Sequence, residues 1–207
     1  MNTAYMCFAW PLAFLCLASC TYKPTDHGRA KEPGFIEAYF DASTLEGLMA
    51  DKDCAALHFY AIHRSDDDVS GSVMAMPADR LGLELYNYFV GPWYAAYEEL
   101  DESRALTRGL TKDDALEAMA NLRDDGFRCY AVAFTTEELA NVLRTKECNG
   151  VRLTPERTAD GRYWTMRMTP VAIKEGAART VGDERETAVC TEPCPTYCGH
   201  SSYLPME

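Results

Sequence analysis

A self-match at one fixed spacing constrains this chain more than any other feature. Displaced by 94 residues, YFDASTLEGLMADKDCAALHF (39–59) falls on AFTTEELANVLRTKECNGVRL (133–153) without a gap. Identities run Phe40/Phe134, Leu45/Leu139, Lys52/Lys146, Cys54/Cys148, Asp66/Asp160, Met74/Met168 and Gly82/Gly176. Conservative pairs lie between them, among them Leu48/Val142, Asp53/Glu147, Leu57/Val151 and His58/Arg152. A constant offset over so long a stretch marks a diverged duplication, so one supersecondary unit is used twice.

The second copy shows what that unit is. Thr111 with Asp114 has the spacing of a capping box, and Ala115, Leu116, Met119 and Leu122 mark one helical face. Gly126 suits the helix stop, and Arg128–Phe134 is β-prone. Thr135 with Glu138 opens a second helix whose stripe is Leu139, Val142 and Leu143. Asn149-Gly150 turns into a strand over Val151–Glu156, and Asp160-Gly161 is a hairpin turn. Trp164, Met166 and Met168 then alternate with polar residues, as in a half-buried strand.

The first copy repeats a strand near Ala38–Phe40, a helix over Ser43–Lys52 and a hairpin from Ala55–Arg64 to Gly71–Met76. Between the copies, Gly91-Pro92 with Trp93, Tyr97 and Leu100 predicts a linking helix within 89–108. The expected fold is α+β: two diverged strand–helix–hairpin units packed as one pseudo-two-fold body. The division is 1–19 leader, 20–34 tether, 35–88 first unit, 89–108 linking helix, 109–178 second unit and 179–207 cysteine-rich tail.

Four short patterns come in a fixed order: Leu110–Ala115 (L-x-x-x-x-A), Glu137–Leu143 (EELxxxL), Glu147–Arg152 (xCxGVR) and Cys194–Gly199 (CPxYCG). In that order the chain resembles a family of uncharacterised small proteins of the Bacteroidota. The resemblance covers Leu110 to Gly199 well and Phe40 to Gly82 weakly. It implies the duplicated architecture and carries no activity with it. After Trp164 the chain departs from the family's aliphatic strand, being rich in Thr and Met.

The leader MNTAYMCFAWPLAFLCLASC contains no charged side chain, and Met6–Leu17 is apolar apart from Pro11. That run is too short to span a bilayer as a helix and has the length of a signal-peptide core. Leu17-Ala18-Ser19-Cys20 resembles the lipobox of bacterial lipoproteins. The resemblance implies lipid transfer to Cys20, cleavage before it and acylation of the new amino terminus. Several acyl chains give stable anchoring in a lipid bilayer. The leader departs from an ordinary signal peptide in lacking a Lys or Arg near its start. The polar run Thr21–Gly34 reads as a tether, and Thr21 in place of Asp implies the outer membrane by likeness to Gram-negative sorting. Cleavage would leave 207 − 19 = 188 residues at an unchanged net charge of −12. Such an acidic chain is unsuited to nucleic acid, whose phosphates require a basic footprint; a partner in the envelope is expected to be protein.

No phosphate loop, G-x-S-x-G elbow, H-E-x-x-H or kinase motif occurs. Asp66–Gly71 begins like a calcium loop, but Pro77 stands where the bidentate Glu belongs, so a solvated hairpin tip is expected. His58 and His63 have opposite parity in one strand and cannot share a metal; His58 is expected to point outward. Tyr86, Tyr88, Trp93, Tyr94 and Tyr97, with Phe89, form an aromatic cluster that is either a recognition patch or packing between units. Cys54 and Cys148 sit at matching helix-to-strand junctions, as small packing residues. In the tail, Cys190, Cys194, Cys198 and His200 have the ligand types of a zinc site but not the usual C-x₂-C spacing. Outside the cytoplasm a disulfide among them, or to Cys129, is the favoured reading, and zinc the alternative. The function expected is a lipid-anchored envelope protein with a binding or structural role and no cofactor; the alternative is a zinc- or thiol-dependent envelope enzyme.

Overall fold

The computed structural model describes residues 34–63, 71–85, 94–97, 108–124 and 131–191. The order is β1 (Ala38–Asp41), α1 (Ala42–Met49), β2 (Ala56–Ile62), β3 (Ser72–Ala78), β4 (Tyr94–Tyr97), β5 (Arg108–Leu110), α2 (Lys112–Asp124), β6 (Ala131–Thr135), α3 (Thr136–Leu143), β7 (Gly150–Arg157), β8 (Trp164–Lys174), β9 (Ala177–Thr180) and β10 (Ala188–Val189). The fold is α+β, as expected, with two antiparallel sheets. One runs β1-β7-β8-β10 with β9 also on β8, and the other runs β5-β4-β3-β2-β6.

Helices α2 and α3 start where the sequence places their caps, whereas α1 starts one residue before the expected Ser43 and ends at Met49, short of Lys52. At α3, Thr135 Oγ1 accepts from Glu138 N at 3.2 Å while the Glu138 carboxylate accepts from Thr135 N at 2.8 Å. At α2, Thr111 and Asp114 make the same reciprocal pair, at 3.0 and 3.1 Å. Asp41 caps α1, its Oδ1 accepting from Thr44 N at 2.8 Å. Each cap satisfies backbone donors that a first turn leaves without intrahelical partners.

The first strand of each unit pairs with the other unit. β1 lies on β7 with Ala38 opposite Leu153, and β6 lies on β2 with Val132 opposite Phe59. Adding 94 to Ala38 and subtracting 94 from Leu153 converts the first pair into the second. Both ladders keep this relation throughout, so the exchange is reciprocal in register.

The constant offset ends at the hairpins. Ile62 faces Ser72 in the first unit, whereas Glu156 faces Thr165 in the second, so β3 and β8 correspond at 93 residues. The second hairpin loop is one residue shorter. Met74/Met168 and Gly82/Gly176 are therefore sequence identities at positions that are not structurally equivalent. Burial decides this register: Met166 and Met168 lie in the core beside Val73 and Ala75, and a slip of one residue would turn both outward.

At the same 93-residue spacing, β4 on β3 corresponds to β10 on β8: Ala95 faces Ala75 and Ala188 faces Met168. Two expectations are corrected here. Tyr94–Tyr97 is a strand, not part of a linking helix, because β3 is buried along its whole length and its second edge needs backbone partners. Residues 177–189 extend the sheet as β9 and β10, so the tail does not begin at 179. Glu175 and Gly176, both at positive φ, make the two-residue turn into β9.

Between the sheets lies the main core. Phe40 and Phe134 each meet Phe59 edge to face, at centroid distances of 5.5 and 5.8 Å, with Leu45, Leu139 and Leu153 around them. The opposite face of β2 and β3 carries a second cluster, Tyr60, Ile62, Met74 and Met76, under Ala115, Ala118 and Met119 of α2. Gly150 is required where β1 crosses β7: a Cβ there would sit 2.7 Å from Phe40 O and 2.6 Å from Ile173 Cδ1.

Candidate functional site

A pocket of about 480 Å³ opens where α1 runs into β2. Its floor is Cys54 and Ala55, in the link between the two elements. Lys52 and Asp53 form one wall, Asp79 and Arg80 beyond β3 form the other, and Thr136 at the start of α3 closes the end. Local chemistry positions Cys54, Asp79 and Thr136. Cys54 N donates to Asp51 O at 3.0 Å, and the Cys54 thiol donates to Ala56 O at 3.4 Å. Asp79 Oδ1 accepts from Leu81 N at 2.7 Å and Leu83 N at 2.9 Å, which ties the far wall into a tight turn. Thr136 N donates to Ala55 O at 2.9 Å and stitches α3 to the floor.

Burial pushes the Cys54 thiol above its ordinary pKa, and the nearby Asp51 carboxylate adds to the rise against backbone hydrogen bonds that oppose it. Cys54 is thus held as a neutral thiol, the reverse of an activated nucleophile. Lys52, Asp53 and Arg80 are exposed at the mouth and make no ion pair among the described residues. The site therefore offers two cations, two carboxylates and a neutral floor.

A second polar group lies largely beneath the surface. Tyr60 donates its hydroxyl to Glu84 Oε1, and His58 Nδ1 lies 3.8 Å from the same oxygen. Glu84 reaches this position because residues 79–85 fold back, with Leu85 N on Pro77 O at 2.8 Å and Glu84 bridging Ala78. His58 is correspondingly covered, its side chain 12% exposed, and does not point into solvent as its pairing with Arg152 suggested. His63 is buried at the end of β2, with Nε2 2.8 Å from Gly34 O, and fastens the start of the described body.

Of the residues singled out from sequence, Cys190 is buried at the end of β10, with its carbonyl accepting from Thr165 Oγ1 at 2.6 Å. Tyr94 and Tyr97 belong to β4. Cys20, Cys129, Cys194, Cys198, His200, Tyr86, Tyr88 and Trp93 lie outside the described residues, as does Asp66–Ser70. Among the described residues no three metal-ligating side chains gather. Sequence reasoning placed Cys54 but missed its neighbours Asp79 and Arg80, which a turn brings back across β3, and it missed Tyr60 and Glu84. The only trace of the latter was a Glu in an otherwise apolar LGLEL run. Comparison with protein-family models, curated proteins and solved structures finds no match to the chain.

Proposed function

We propose that the chain is a lipid-anchored bacterial envelope protein, non-enzymatic, whose α+β body binds a partner or ligand at the end of a short tether. The observation that carries this reading is the leader ending in Leu17-Ala18-Ser19-Cys20 and followed at once by a polar run. The thirteen residues 21–33 would reach at most about 45 Å when extended, keeping the body close to the bilayer. The neutral, half-buried thiol of the pocket favours binding over thiol catalysis. The outer membrane is the proposed compartment, and a Bacteroidota-like family the proposed kinship. The reciprocal register of β1/β7 and β6/β2 supports packing of the two units about a pseudo-two-fold axis.

Replacing Cys20 with Ser tests the anchor. The variant is expected to leave the membrane fraction and to lose fatty-acid labelling. A wild-type chain that fractionates as soluble and takes up no label overturns the reading.

A further inference from the structure

We propose that the pocket at the α1–β2 junction binds a small zwitterion, of amino-acid to dipeptide size, and that Asn149 plugs the corresponding place in the second unit. The two junctions share one backbone. Thr136 N donates to Ala55 O at 2.9 Å, and Ala42 N donates to Asn149 O at 2.8 Å. Ala55 N donates to Ala78 O at 2.8 Å, and Asn149 N to Val171 O at 3.1 Å. The thiols match as well, Cys54 on Ala56 O and Cys148 on Gly150 O at 3.1 Å.

What differs is the filling. The Asn149 side chain clasps the β8 backbone, Nδ2 donating to Ile173 O at 2.8 Å and Oδ1 accepting from Ile173 N at 2.6 Å. Glu147, the counterpart of Asp53, is paired with Arg179 of β9 at 2.8 Å. In the first unit Ala55 offers only a methyl group in that place, and Asp53, Lys52 and Arg80 are left without ion pairs among the described residues. One copy of a duplicated junction is thus closed by its own groups, and the other is open with charges unspent.

The lining selects the ligand. Lys52 and Arg80 balance Asp53 and Asp79, so the wall carries no formal net charge. A dianion would meet two carboxylates, and a dication would meet an ammonium and a guanidinium. A ligand with one ammonium and one carboxylate complements both pairs. The pocket volume falls in the range of small-molecule sites. The proposal deepens the binding part of the reading above and does not depend on the anchor.

The test is protection of Cys54 in the full-length chain, in detergent, against a neutral methanethiosulfonate, with Cys148 as internal reference. Glycylglycine is the probe, and acetate and ethanolamine are its single-charge controls. With a dissociation constant of about 1 mM, about 10 mM glycylglycine slows Cys54 modification about tenfold and leaves Cys148 unchanged. Ala55→Asn, which transplants the plug, abolishes the protection, as does the surface variant Arg80→Ala should Ala55→Asn fail to fold. Absence of protection by glycylglycine, equal protection by either control, or protection that persists in folded Ala55→Asn or in Arg80→Ala overturns the proposal. Any of these leaves acylation of Cys20 standing.

Discussion

Thr135 shows how much one side chain contributes here, because its hydroxyl accepts from Glu138 N at the start of α3 and also donates to the Glu138 carboxylate. Thr135→Ala is expected to cost about 1 kcal/mol, read as a lower urea midpoint at unchanged slope. Cys54 gives a pH signature. Its thiol is raised in the folded state, so its contribution to stability is complete below the unfolded thiol pKa and is lost as pH rises through the folded value. At pH 8, iodoacetamide should therefore alkylate Cys54 more slowly than free cysteine; equal rates would contradict the burial. At the hairpin tip the sign reverses. Hydrogen bonds from Thr158 and Arg162 N hold the exposed Asp160 carboxyl below its ordinary range, so what it adds is present at neutral pH and fades on acidification. Tyr60→Phe removes the hydroxyl from a buried carboxylate, and a loss of about 1–3 kcal/mol is expected in the same urea experiment.

At the scale of elements, the two hairpins separate what local sequence can specify from what packing decides. Capping boxes, the α3 stripe and the Asp160-Gly161 turn are short-range chemistry, and all were legible. The one-residue change of offset between β2/β7 and β3/β8 was not, because a loop length leaves no mark on the strands beyond it. Tyr94–Tyr97 misled for a related reason: its helical spacing is real, but the open edge of buried β3 claims it as a strand. The pocket was half legible, since Cys54 was marked by the repeat and Asp79 and Arg80 arrive only through tertiary folding. Inserting one glycine after Asp160 tests the hierarchy. Exposing Met166 and Met168 would cost about 1.5–3 kcal/mol each, against about 1 kcal/mol or less for a longer turn. The insertion should leave both methionine methyl resonances in their buried positions. Displaced resonances, with stability lost on the scale of two exposed methionines, would show that the turn sets the register.

For the whole molecule, the exchange of first strands means that neither sheet is completed by one unit. Phe59 sits at the crossing, touching Phe40 of its own unit and Phe134 of the other. Phe59→Ala is expected to cost about 3–5 kcal/mol and to lower a single unfolding transition. Two separate transitions would contradict an interlocked body. The two sheets also differ in what their outer faces carry. The outer face of β2 and β3 is covered by α2, while the outer face of β7 and β8 carries polar pairs such as Arg167 with Glu156, bonded through Nε and Nη2 of the guanidinium at 2.8 and 2.9 Å. The positions that align with α2 at the 94-residue spacing are 18–30, which lie outside the described residues.

The measurement that bears most directly on the proposed function is the intact mass of the mature chain extracted from its own membranes. A chain of 188 residues beginning at Cys20, heavier than its peptide mass by a diacylglyceryl group and an amide-linked acyl chain, is the predicted result. A mass that begins at Met1, or a cleaved chain carrying no lipid on Cys20, contradicts it.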